Sequence, residues 1–446
     1  MNRRIPIQFV ALFLAIVMVG SAAGATEMAK HRRALADALA QNYQRAITTA
    51  VTSIHDRFGR QQGIPEVVDQ YTQIPFAAAP LTKAESLISI GKVATQIERR
   101  RWWRVGLDPT QLSRPLRDPA SAMMGLLAFS RVERELAATS VANEKGGKHT
   151  AASPEQTYLN AAREAGDFLL WAQSQAGSGV FPFPAFRGST NHAAFGAVEG
   201  RLSRIERKGL SGHVKNGWII EDEDSGGLQF DNGECGVAMF ALYEATHDKK
   251  YLDSAVRAAE WAARRPLVAN WNYNSFSVRL LARAYLVTGN VVFLESATQK
   301  ALLGVIPGQL KAGERKGRWG DPHNARPTYH YIMMDRLVEL VAALRKARLD
   351  NGSAFESVVN TLRLGLIARN KDFLAINKGA PTKETAMIAL LNVNRVFAGD
   401  AQFLKATQTR EALDALTKLV SAQYRHGIVP LAPGAWGVFV ETLVVR

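Results

Sequence analysis

Cysteine is nearly absent: the 446 residues contain one, Cys235. A lone thiol closes no disulfide, makes no redox pair and builds no cysteine-rich zinc cage, so stability comes from packing. Sustained apolar-polar alternation is missing, which excludes an extensive sheet. No glycine-rich loop stands at a strand-to-helix junction to hold a phosphate, and no cofactor motif is visible. His323 and His330 lack the four-residue spacing of a helical zinc pair, so neither cofactor nor metal is expected. Acid is scarce beside base, with 40 Asp and Glu against 55 Lys and Arg and a formal net charge of +15.

Long apolar runs are confined to the start, MNRRIPIQFVALFLAIVMVGSAAGA. Basic Arg3 and Arg4, a short apolar run and the small-residue pattern Ala23-Gly24-Ala25 read as a secretory signal peptide cut after Ala25. An uncleaved anchor is the alternative reading, and no later segment has the length of a membrane span. Loss of the two signal arginines leaves 15 − 2 = +13. The expected location is periplasmic or secreted. There a basic chain meets anionic polysaccharide, lipid headgroups or envelope more readily than nucleic acid, although the same charge also serves solubility.

What is present is helix. TKAE (Thr82, Glu85) and SPEQ (Ser153, Gln156) are capping boxes, the second with Pro154 at the first helical position. The spacing predicts helices near 84–101, 119–138, 156–174, 232–246, 251–264, 273–287, 292–303, 327–347, 354–369, 383–397 and 402–422, and a last one after Gly434. An aromatic-Leu pair opens an Ala-rich helix four times, at Tyr158, Tyr251, Phe293 and Phe403. Three of the four follow tight turns, THDKKYL, TGNVVFL and AGDAQFL, that make antiparallel helical hairpins.

Twelve helices in six hairpins, carried by ALYEATHDKKYLDSAVRAAEWAA and SVRLLARAYLVTGNVVFLESATQKALL, resemble the (α/α)6 toroids of six-hairpin glycoside hydrolases, polysaccharide lyases and sugar epimerases. The resemblance implies an all-α toroid over 82–446, after the signal peptide and an N-terminal helical segment at 26–81. It implies inner helices around a central cleft, with the long loops at one mouth. These motifs are architectural and carry no reaction.

Candidate site residues therefore lie where long loops enter helices. The connection 177–233 holds Phe181, Phe183, Phe186 and Trp218, too aromatic for disorder, and is expected to fold over the mouth. Its acids Glu221, Asp222, Glu223 and Asp224 read as a solvated turn or a carboxylate site. Counting an EF-hand from Asp222 puts Gly233 where acid is needed, so calcium fails. Asp231 and Glu234 read as a helix cap or as catalytic carboxylates, and Cys235 as a small core residue. NWNYNSFS offers Trp271 and Tyr273 to stack on sugar and Asn270, Asn272 and Asn274 to bond hydroxyls, or else a self-capped turn. RWGDPHNARPTYH places Trp319, Asp321, His323, Asn324, Arg326, Tyr329 and His330 at a helix entry, with His330 alternatively a satisfied core residue. Thinner entries are Asn191-His192, Arg114, Arg117 and Asp118, Lys383 and Glu384 after Thr382, and Trp436.

Two reactions fit, on a polysaccharide or oligosaccharide that carries uronic acids. A hydrolase would use Asp231 or Glu234 facing Asp321. A lyase or C5-epimerase would use His323 or Tyr329 as base, with Arg326 and Asn324 quieting the charge. The rival from another class is a non-catalytic glycan-binding envelope protein. Hydrolysis is placed first by resemblance alone.

Overall fold

The computed structural model describes residues 79–99, 115–141, 153–185, 193–221, 226–268, 270–320, 326–376 and 383–445. The expected signal peptide and residues 26–78 of the N-terminal segment lie outside them. Among the described residues no helix is long and apolar enough to cross a membrane.

Among the described residues fourteen α-helices carry the fold: α1 Lys83–Arg99, α2 Arg117–Val141, α3 Pro154–Ala176, α4 Ala193–Arg207, α5 Gly227–Thr246, α6 Lys249–Arg264, α7 Trp271–Thr288, α8 Val291–Gly304, α9 Pro327–Lys346, α10 Ser353–Ile376, α11 Lys383–Val396, α12 Ala401–Ala406, α13 Thr409–Arg425 and α14 Pro433–Val444. Each of the twelve helices expected from the spacing is present. The one expected over 402–422 is broken in two by Gln408, which sits at φ 50°.

Local chemistry explains the boundaries. Thr82 accepts from the Glu85 amide at 3.2 Å while Glu85 accepts from the Thr82 amide at 2.8 Å, a reciprocal cap that satisfies two orphan donors. Ser153 caps α3 through the Gln156 amide. The hairpin turns stop one helix on a left-handed residue, His247 or Gly289, and cap the next with Asp248 or Asn290. The aromatic-Leu pairs open outer helices and face inward: Tyr251, Phe293, Leu294, Phe403 and Leu404 are all buried.

Packing closes these hairpins into a ring. The inner helices α2, α5, α7, α9, α11 and α14 each pack on the next, and α14 returns to α2. Outer helices α3, α6, α8, α10 and α13 back them in order, and α1 backs α14, so the first hairpin partner is shared with the last. The seam is bound by Arg131 gripping Glu441 at 2.7 and 2.8 Å, Trp436 donating to Ser89 at 3.0 Å, and the Leu81 amide donating to Ser421 at 3.0 Å. It also needs Gly125: a Cβ there would lie 2.5 Å from the Pro433 carbonyl oxygen. The all-α toroid is thus formed by helix contacts alone. Because inner and outer helices alternate in direction along the chain, with α14 following the outer α13, all six inner helices point the same way.

The 177–233 connection has secondary structure of its own among its described residues. It contains α4 and a small antiparallel sheet of β1 Phe183–Pro184, β2 Val214–Lys215 and β3 Trp218–Ile219, in the order β1-β3-β2. Its last residues already belong to α5, which begins at Gly227 after Gly226 in the left-handed region.

Candidate active site in the bore of the ring

The ring encloses a cavity of about 780 Å³ whose walls come from all six inner helices. At the amino-terminal mouth, α5 contributes Phe230 and, one turn on, Glu234 to the cavity wall. Phe230 and Phe276 stack with centroids 4.2 Å apart. The Arg117 guanidinium lies 4.4 Å from the Phe230 ring and the Arg336 guanidinium 4.8 Å from the Phe276 ring. This four-membered stack spans α2, α5, α7 and α9 and fixes both cations.

Each cation delivers its charge to a different carboxylate. Arg117 donates to Asp231 at 3.0 Å, and Arg201 of α4 approaches the other Asp231 oxygen at 3.7 Å. Arg201 also lies 3.9 Å from the Phe183 ring, so the excursion is fastened to the ring through it. Arg336 bonds both Glu234 and Asp335, and Arg279 stands 3.8 Å from each. Asp335 further accepts from Asn392 at 2.6 Å. Despite complete burial its carboxyl lies below the usual range, because Arg279 and Arg336 and the hydrogen bonds they accompany outweigh desolvation.

Glu384, in the first turn of α11, has the opposite environment. Burial pushes its carboxyl up, and the nearby negative charges of Glu234 and Asp118 add to that, against a backbone hydrogen bond from Ala432. Glu384, Glu234 and Asp118 all line the cavity. One cleft thus holds a carboxyl raised by burial, Glu384, and a carboxylate ion-paired with guanidiniums, Glu234.

The structure sorts the residues expected from the sequence. Glu234 lines the cavity. Asp231 neither caps α5 nor faces the cavity; the helix starts four residues earlier, and its carboxylate is wholly buried between two arginines. Tyr273 and Tyr329 are half-buried neighbours at the same mouth, and burial raises the Tyr273 hydroxyl. Asn270 is the N-cap of α7, accepting from the Asn272 and Tyr273 amides, as the self-capped alternative holds.

Trp218, Trp271, Asn272, Asn274, Trp319 and His330, expected to meet sugar, are core residues with 3% exposure or less. For four of them the cause is a packing or bonding role. Trp218 packs edge-on against Trp171, Asn274 bridges the Val268 and Gly304 backbones, Trp319 donates to the Val305 carbonyl, and His330 accepts from Arg369 at 2.7 Å. Trp436 is likewise buried. Arg326 is exposed at the N-cap of α9. Asp321, His323, Asn324, Asn191, His192 and Asp222 to Asp224 lie outside the described residues, while Glu221 pairs with Arg265 at 2.5 Å. Cys235 is fully buried and desolvation raises its thiol.

Sequence reasoning missed Phe230, Phe276, Arg279, Asp335 and Arg336. A signal existed: charged residues at helical spacing, Arg279 with Arg283 and Asp335-Arg336 with Glu339, interrupt helices that are otherwise apolar. A core-facing stripe does not contain such residues unless it lines a polar space.

No family model matches the chain, and no curated protein matches it. Among solved structures the chain is similar to a glycosyl hydrolase of family 88 from Bacteroides vulgatus, with TM-score 0.45 and 10% identity over 82% of this chain and 98% of that one. It is also similar to a polysaccharide lyase, with TM-score 0.46 and 12% identity over 81% and 96%. No reaction is read from likenesses of this degree.

Proposed function

We propose that this chain is a carbohydrate-active enzyme, a glycoside hydrolase that takes a polysaccharide or oligosaccharide, uronate-containing, at the amino-terminal mouth of the ring. The observation that carries the reading is that Glu384 and Glu234 line one cavity from opposite inner helices, the first a carboxyl raised by burial and the second a carboxylate matched by Arg336 and Arg279. Glu384 would protonate the leaving glycosidic oxygen, and Glu234 would act as base or nucleophile. The six inner-helix amino termini converge on this mouth, and their dipoles favour an anionic sugar there. Action outside the cytoplasm, after removal of residues 1–25, belongs to the same proposal.

The test is to incubate residues 26–446 with uronate-containing and neutral polysaccharides, following new reducing ends and the ultraviolet absorbance of unsaturated uronate together. Reducing ends without absorbance, lost in Glu384→Gln and Glu234→Gln, are expected. Absorbance rising with reducing ends would replace hydrolysis by elimination and move attention to Tyr329 and His323. Retained glycan binding with neither product would make the chain a binding protein.

A further inference from the structure

We propose that the bore is a passage open at both ends, and that water and small solutes reach the amino-terminal site through the carboxyl-terminal mouth. The cavity wall is not confined to the first helical turns. On α5 it extends from Phe230 to Glu244, on α11 from Glu384 to Arg395, and on α14 from Gly434 to the residue after its end, Val445. The fourteen steps from Phe230 to Glu244 correspond to about 21 Å at 1.5 Å per residue, most of the length of the 20-residue α5. Spread over that depth, 780 Å³ gives a mean cross-section of about 37 Å², several times that of one water.

The far wall also reaches solvent. Val445 is 44% exposed and the Glu244 side chain 48% exposed, and both line the cavity. The charges inside run along the wall and not across it. Arg283 bonds Glu244 and Glu339 on the two helices flanking its own, and Arg131 bonds Glu441 on the helix beside it. Arg117 and Asp231 likewise join neighbours, and the Arg336 bond to Glu234 skips one helix. None of these pairs bridges opposite helices, so they leave the axis clear. Between the polar ends lie apolar wall residues such as Met124, Val237, Ile388 and Val438.

The consequence rests on the proposed hydrolysis. A polysaccharide seated at the amino-terminal mouth stoppers it, and the water that hydrolysis consumes needs another route. The carboxyl-terminal mouth supplies one. There the six helix carboxyl ends disfavour a second anionic chain, which leaves the opening to small solutes.

Because Cys235 is buried, introduced thiols report almost alone. Val438→Cys places one in mid-bore, and Ala241→Cys is a second probe if the first fails to fold. Each is read by its reaction rate with a small methanethiosulfonate in the full chain, alone and combined with A432C, with T442C or with both. The rim thiol is first capped with a bulky polyethylene-glycol maleimide, and one adduct is confirmed by mass. With the amino-terminal rim capped, the mid-bore rate is expected to stay within about threefold of the uncapped value, and with both rims capped to fall about a hundredfold. Loss of reaction on capping the amino-terminal rim alone overturns the passage. On an active substrate, capping T442C is expected to lower kcat about tenfold with KM unchanged, and an unchanged kcat overturns the water route. The labelling needs no substrate, so failure to hydrolyse any glycan would refute the enzyme and not the passage.

Discussion

Asp231 is the sharpest point at which sequence and structure differ, and Asp231→Ala separates them. The carboxylate is fully buried, with Arg117 at 3.0 Å and Arg201 at 3.7 Å, and their side chains are 30% and 12% exposed. Removing it leaves two guanidiniums facing each other without their anion. Breaking a buried pair costs about 3 to 5 kcal/mol, and the partial exposure of Arg117 places this case near the lower end, about 3 kcal/mol. Unfolding entropy of about 2.1 cal/mol/K per residue over roughly 370 ring residues is about 0.8 kcal/mol/K, so Tm should fall by about 4 °C. Asp231→Asn, which keeps an acceptor and loses the charge, should fall less. Calorimetry with a parallel reducing-end assay reads both quantities. If Asp231→Ala melted within about a degree of the parent while turnover fell more than about a hundredfold, Asp231 would be a catalytic group and the strut assignment would be wrong.

Glu384→Gln should cost about 10² to 10⁴ in kcat, the ordinary worth of a general acid. It should also raise Tm near neutral pH: a carboxyl raised on folding contributes stability below its unfolded value and loses it as pH rises through the folded one, so the gain vanishes in acid. Glu85 behaves in the opposite sense. Hydrogen bonds from Arg425 and the Thr82 amide hold it down to about 2, so its contribution is complete above about 4.5 and lost as pH falls toward 2; Arg425→Ala should return the carboxyl toward 4.5 in an NMR titration. Gly125→Ala should lower the unfolding free energy by about 1 to 3 kcal/mol in a denaturant melt, because its Cβ meets the Pro433 backbone and forces the seam apart. Gly91→Ala, with nothing within 4 Å, should instead gain up to about 1 kcal/mol from helix propensity.

The elements were legible because their signals are local. Capping boxes at Thr82 and Ser153, left-handed stops at His247 and Gly289, and 3.6-residue periodicity each act within a few residues. The site was legible only in part. Glu234, Asp118 and Glu384 stood out as acids near helix starts, but nothing local distinguished Glu234, which lines the cavity, from Asp231, three residues before it and buried against Arg117 and Arg201. The aromatic and amide residues of NWNYNSFS and RWGDPHNARPTYH looked like sugar ligands because stacking and hydrogen bonding serve a core as well as a ligand. Trp319 and Asn274 satisfy backbone carbonyls inside the protein, with partners 14 and 30 residues away.

The sequence by itself determined the helices, their hairpin pairing and the general region of the mouth, since short-range hydrogen bonding and apolar periodicity are written along the chain. Tertiary structure alone decided ring closure through Gly125 and Arg131, the Arg117-Phe230-Phe276-Arg336 stack, and which carboxylates share one cavity. Those depend on distances between residues tens to hundreds of positions apart, as Arg336 and Glu234 are at 102, and electrostatic environment follows distance in space and not order in the chain.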